Sequence, residues 1–186
     1  RQPPDEGALR ALVAVAAGAA AAAALTIEEV APADWVKESL RGLQPVRAGR
    51  FIVHGAHDRA RVRPNDIAIE IEAALAFGTG HHGTTRGCLL ALDDLAKRRR
   101  MPRVLDIGTG SGILAIAAAK LGYEPVHAFD LDPEAVRIAR ANACRNGVQH
   151  KLRISLRDLT KLPHQSCTRY DIICANLTAN LLLAQQ

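Results

Sequence analysis

Aromatic side chains are scarce: one Trp, two Tyr and three Phe in 186 residues. So few rings disfavour a stacking platform for nucleic acid, and no direct nucleic-acid partner is expected. Cys88, Cys144, Cys167 and Cys174 lie far apart without a CxxC pair, which argues against a zinc ribbon or a disulfide framework. They read as reduced thiols of a cytoplasmic protein. Met101 is the only methionine, and the sequence stops within an apolar run, so a fragment truncated at its C-terminus is expected. The one long uncharged stretch, Ala11 to Ile27, is mostly alanine and glycine, too weakly apolar for a membrane span, and reads as a packed helix.

Neither charge sign dominates strongly. Lys and Arg number 24 against 19 Asp and Glu, a net +5, and 48% of residues are hydrophobic, as in soluble globular chains. This length predicts one sizeable domain plus an appendage. The expected division is a partial recognition region and linker over 1–60, then a binding domain over 61–186.

Helices are expected over Ala8–Leu25 and Asp34–Leu40, and strands over Arg50–His54 and Asp66–Glu72, where Ile67, Ile69 and Ile71 alternate with polar residues. Thr84 to Lys97 puts Cys88, Leu89, Leu92 and Leu95 on one helical face, with Thr84 available as a cap. From Arg103 the pattern becomes strand, loop, helix, repeated: strands at Val104–Ile107, Val126–Phe129, Leu152–Leu156 and Asp171–Ala175, with a helix to Leu121 and another over Pro133–Asn146. That alternation requires a parallel sheet covered by helices, an α/β doubly wound fold. Asp132 before Pro133 is a helix start and Gly147 the matching stop.

The densest signal is VLDIGTGSGILAI, a strand running through Gly108, Gly110 and Gly112 into a helix. Glycines there allow backbone to approach a ligand closely. The spacing is GxGxG rather than the GxGxxG of dinucleotide binders, so a nicotinamide cofactor is disfavoured. Asp106 lies within the turn, where a carboxylate suits a cationic ligand better than a phosphate. Asp130, 22 residues beyond Gly108, stands where an acid takes both hydroxyls of a ribose. Together these predict a nucleoside site; the bland alternatives are a tight turn and a second cap. Asp158 is either an adenine contact or a turn residue. Asn176 ends the last strand at the sheet's carboxyl edge, either at the ligand or closing the strand.

These residues resemble class I S-adenosylmethionine-dependent methyltransferases. With AFGTGHHGTT (Ala76–Thr85), DLDPEAVRIARANACRNGV and ANL, the chain is similar to the ribosomal protein L11 methyltransferase family over about 66–182. The resemblance implies a Rossmann-like sheet, present as strands 3-2-1-4 of the full order, with a small α+β appendage. S-adenosyl-L-methionine is the implied cofactor, contacted by Thr85, Gly108, Asp130 and Asn176. Phe77 and His82 belong to the same box, and Asp106, Gly110 and Gly112 complete the candidate set. Gly83 stands where many relatives have proline. His81 and His82 have no acidic or Cys partner nearby at ligand spacing, so no metal is expected.

Asn176 is the candidate catalytic residue, orienting the acceptor amine. Asn176-Leu177-Thr178-Ala179 departs from the Asn-Pro-Pro-aromatic motif of purine and glutamine methyltransferases, which favours a flexible amine such as lysine. The implied activity is N-methylation of lysine and α-amino groups of a large-subunit ribosomal protein, by a monomeric enzyme. The fragment alone is expected to be inactive. A small-molecule acceptor, or a silent cofactor-binding module, is the alternative. The charge of +5 repels a basic partner at long range. Glu28, Glu29, Asp34 and Glu38 are either a docking surface for it or a solvated face, and the basic run from Lys97 to Arg100 reads as a solvated helix end.

Overall fold

The computed structural model describes residues 5–27, 45–71, 83–98, 102–162 and 168–177. The expected helix over Asp34–Leu40, the acids from Glu28 to Glu38, and Phe77, His81, His82 and Cys167 fall outside them. Two compact units are present, residues 1–41 and 42–186.

In the first unit, α1 (Glu6–Ala17) starts at Asp5, whose carboxylate accepts the Gly7 and Ala8 amides. The single helix expected over Ala8–Leu25 is instead two. Gly18 sits at φ +90°, ψ +164°, a conformation that breaks the helical repeat, and α2 (Ala19–Ala23) begins beyond it. Arg10 donates to the Ala22 carbonyl at 2.9 Å. No helix among the described residues is long and apolar enough to cross a membrane.

The second unit holds two sheets. The smaller has order β1-β2-β3, with β1 (Val46–Ala48) antiparallel to β2 (Phe51–His54), and β3 (Ile67–Glu70) parallel to β2. Ile69 and Ile71 are buried as the alternation predicts, but Glu70, predicted to face water, is only 8% exposed. Two long-range partners explain this. Arg59 grips its carboxylate at 2.6 and 2.9 Å, holding it below the usual carboxylate range, and the Asn146 side chain pairs with the Glu70 backbone N–H and C=O at 3.0 and 2.7 Å.

After α3 (Gly83–Ala96) the expected α/β rhythm unfolds as β4 (Val104–Ile107), α4 (Ile113–Lys120), β5 (Val126–Asp130), α5 (Pro133–Arg145), β6 (Leu152–Leu156) and β7 (Ile172–Ala175). All four strands are parallel, in the order β6-β5-β4-β7, so the Rossmann-like α/β fold stands as read. Thr84 lies within α3 rather than at its cap. Asp132 does cap α5, accepting the Glu134 amide, and Gly147 at φ +69° ends the turn after it.

Residues 113–119 of α4 are all buried. A helix apolar on every side belongs at the centre, and Ile113, Leu114 and Ile116 each contribute roughly 1.5–3 kcal/mol by leaving water. The even-numbered sheet residues Val104, Asp106, Val126, Ala128, Leu152, Ile154 and Cys174 share this buried side.

Candidate functional site

Strand register builds the site. Ile107 pairs with Phe129 on one side and Ala175 on the other. The next residues on the three strands, Gly108, Asp130 and Asn176, therefore stand in a row along the carboxyl edge, spaced by about 4.8 Å per strand. Open α/β sheets bind ligands at this edge, where chain order reverses, and here β4 lies between β5 and β7.

The loop between β4 and α4 turns on three glycines at positive φ: Gly108 (+65°), Gly110 (+53°) and Gly112 (+82°). Their neighbours differ. A Cβ at Gly108 would run into Leu177 Cδ2, so the residue after Asn176 closes over the loop. A Cβ at Gly112 would press on Ala139, 3.1 Å from its Cβ and 3.2 Å from its Cα, so this glycine serves the approach of α4 to α5. The Asn142 amide spans the same gap and donates to the Ser111 carbonyl at 2.9 Å.

Two acids hold the loop. Asp130 accepts the Gly110 amide at 2.9 Å on one oxygen and the Asp132 amide at 3.1 Å on the other. A carboxylate has about four lone-pair sites, so both oxygens keep capacity for ligand hydroxyls. Leu131, 66% exposed, presents apolar surface alongside.

Asp106 lies beneath the loop and is 2% exposed. Its carboxylate accepts the Thr109 hydroxyl at 2.6 Å. Burial pushes its pKa up to about 7; the Thr109 hydroxyl and the Ala115 amide pull it down, and the Asp130 charge adds to the rise. Cys174, opposite Asp106 in the register, is pushed up to about 12 by burial and by Asp106 and Cys88, which keeps it a thiol rather than a nucleophile.

Asn176 is half-buried, and its side-chain amide donates to Thr85 Oγ1 at 2.9 Å. The structure thus gathers Thr85, Asp106, Gly108, Gly110, Asp130 and Asn176 around one edge. Thr85 is 0% exposed. Asp158 caps the turn at Leu159–Lys161, where Thr160 takes its carboxylate through amide and hydroxyl and holds it below the usual range. That is the turn role weighed for it.

Sequence reading missed Thr109 and Leu177. A hydroxyl three residues after a buried strand aspartate, and an apolar residue directly after the strand-ending Asn, were the available signals. A separate groove of about 440 Å³, lined in part by Leu105, His127, Arg153 and Tyr170, contains none of the candidate residues.

The donor set fits a nucleoside carrying positive charge. An acid with spare acceptor capacity suits a ribose, and the Asp130 carboxylate at the loop would repel a pyrophosphate.

Comparisons with known proteins bear on the family and the fold. The sequence pattern of ribosomal protein L11 methyltransferase (PrmA) matches residues 4–185. A ribosomal protein L11 methyltransferase of Rhodopseudomonas palustris is 54% identical over 181 residues, covering 96% of this chain and 61% of that relative. Another, of Bradyrhizobium diazoefficiens, is 52% identical over 180 residues, with the same shares of 96% and 61%. The chain therefore spans about 61% of the length of these relatives. Among solved structures, a ribosomal protein L11 methylase of Lactobacillus delbrueckii subsp. bulgaricus superposes with a TM-score of 0.65 at 29% identity, over 77% of this chain and 71% of that one.

Proposed function

The chain belongs to the ribosomal protein L11 methyltransferase family, and on that premise we propose that this protein uses S-adenosylmethionine to methylate amino groups of ribosomal protein L11, at lysine side chains and the α-amino group. The observation that carries the proposal is the row of Gly108, Asp130 and Asn176 at one sheet edge. It joins a nucleoside-binding half to an amide suited to an incoming amine.

When bound, the cofactor supplies a methyl group already activated by a positively charged sulfur. The protein's work is therefore alignment and exclusion of water. Gly108 and Gly110 would bring backbone to the ligand, and Asp130 would take the ribose hydroxyls with the acceptor sites its two amide partners leave open. Asn176 presents its carbonyl oxygen to the acceptor amine.

The amine must be neutral to attack. With a reference lysine pKa of about 10.4, it must first lose a proton. Asp106, sealed under the loop, is out of reach of solvent and of a docking peptide. The acceptor amine loses its proton to water or to another nearby acceptor, and lower pH slows the reaction by depleting the neutral form. The reaction takes place in the cytoplasm, where ribosomal proteins are available.

Mass spectrometry of ribosomal proteins from cells with and without the gene tests this. The expected result is loss of methyl-sized mass steps from L11 alone. Unchanged L11, or a change confined to a small metabolite, would refute it.

A further inference from the structure

The groove of about 440 Å³ takes no part in the reaction described above, and none of the described residues lining it is acidic. We propose that it is a second binding site, for a small organic phosphate: the phosphate sits on Arg153 and Arg157, and the apolar body lies against Leu105 and Leu162.

Strand register assembles the groove. Leu105, His127 and Arg153 are partners across β4, β5 and β6, so they stand side by side on one face, about 4.8 Å apart. Arg157 lies four residues beyond Arg153, about 13 Å along the extended chain. Apolar lining with a few convergent polar groups is typical of a small-molecule pocket, and the volume falls within the usual range of about 300–1,000 Å³.

Charge decides the class of ligand. Arg153 and Arg157 are exposed, and neither side chain has an acidic or hydrogen-bonding partner among the described residues. The acids nearest them in sequence and space are engaged elsewhere. Asp158 accepts from Thr160, and Asp171 accepts the Arg103 amide at 2.8 Å. Burial, together with the charges of Arg153, Arg103 and Arg157, holds His127 below its usual range, so several cations act on one ring and the ring itself is neutral near pH 7. Such a field repels a positively charged cofactor and draws in an anion.

His127 supplies a polar wall. Its Nδ1 meets the Tyr170 hydroxyl at 2.7 Å, with the two rings edge to face at 5.6 Å. Its Nε2 is buried and has no hydrogen-bond partner among the described residues. With the Tyr170 hydroxyl donating to Nδ1, Nε2 carries the ring hydrogen and is a donor left unanswered, against the general rule for buried polar atoms. A phosphate oxygen seated between His127 and Arg153 would answer it.

The test is calorimetric titration of the full chain with phenyl phosphate, uridine monophosphate, uridine and inorganic phosphate. The demethylated cofactor, S-adenosylhomocysteine, is present in excess, so that the glycine-loop site cannot capture a probe. At least one of the two organic phosphates is expected to bind one-to-one, and the tighter of them shows whether a nucleotide or a plain aryl phosphate is preferred. Uridine and inorganic phosphate should bind at least about tenfold more weakly. Arg153→Gln combined with Arg157→Gln should weaken binding about tenfold or more, and either substitution alone by about threefold, which serves if the double variant does not fold. The His127 ring resonances should shift as the site fills. No saturable binding, affinity unchanged by the glutamine substitutions, or uridine or inorganic phosphate binding as tightly as the organic phosphates would each overturn the proposal. Neither the methyl acceptor nor turnover enters these measurements, so their outcome is independent of the function proposed above.

Discussion

The carboxylate of Asp130 accepts the backbone amide of Gly110 at 2.9 Å, so the acid that ends β5 also fastens the loop that follows β4. A residue read as a ligand contact is therefore also part of the scaffold that shapes the glycine loop. Asp130→Ala should release the loop as well as remove an acceptor. Amide hydrogen exchange at Gly110 is expected to accelerate by about tenfold in the alanine variant, and by less in Asp130→Asn, whose oxygen can still accept one amide.

Glycines of similar φ carry different loads. Gly112 (+82°) and Gly122 (+86°) share a left-handed backbone, but only Gly112 has another helix against its Cβ position. Alanine at Gly122 should cost about 1 kcal/mol from backbone strain alone. Alanine at Gly112 should cost about 1–3 kcal/mol more, because Ala139 backbone has to move. Denaturant titration of the two variants isolates the packing contribution as their difference.

Burial of Asp106 makes stability depend on pH. Its pKa rises from 3.8 unfolded to about 7 folded, so between those values the folded state holds a proton that the unfolded state has released. Stability is then greatest below pH 4 as far as this group is concerned, falls as pH climbs, and levels off above about pH 7. Asp106→Asn should flatten that slope and gain relative stability at pH 8, by an amount on the order of a few kcal/mol. Equilibrium unfolding at pH 5 and pH 8 provides the comparison, and parallel losses in both proteins would count against it.

Asn146 should matter more than Arg59, although both hold Glu70. Asn146→Ala strips partners from a buried strand N–H and C=O, at a cost of about 2–3 kcal/mol. The Arg59 side chain is 68% exposed, and water can replace much of what it gives. Arg59→Ala is expected to cost less than Asn146→Ala. Thermal unfolding of both variants checks the order.

What was readable in the sequence follows the range of the interaction. Strands β4 to β7 and helices α4 and α5 come from local apolar periodicity and from caps within a few residues, such as Asp132 with Glu134, and they appear at or near their expected bounds. Glu70 is buried because Asn146, 76 residues away, matches its backbone, and no alternation pattern carries that information. Gly18 reads as a tolerated helical glycine until its φ is known. Gly108, Asp130 and Asn176 were legible because each lies at or directly after the end of a strand. The bond between Thr85 and Asn176, and the closure of Leu177 over Gly108, depend on which strands become neighbours, and appear only once β7 is placed beside β4.

The central claim is that the glycine loop and Asp130 together hold one adenosyl-sulfur compound. Calorimetric titration of S-adenosylmethionine into the intact protein and its Asp130→Ala variant tests it most directly. Saturable one-to-one binding by the unaltered protein, weakened about tenfold or more by the substitution, is the predicted result. Equal affinity in the two proteins, or preference for a nicotinamide dinucleotide, would contradict it.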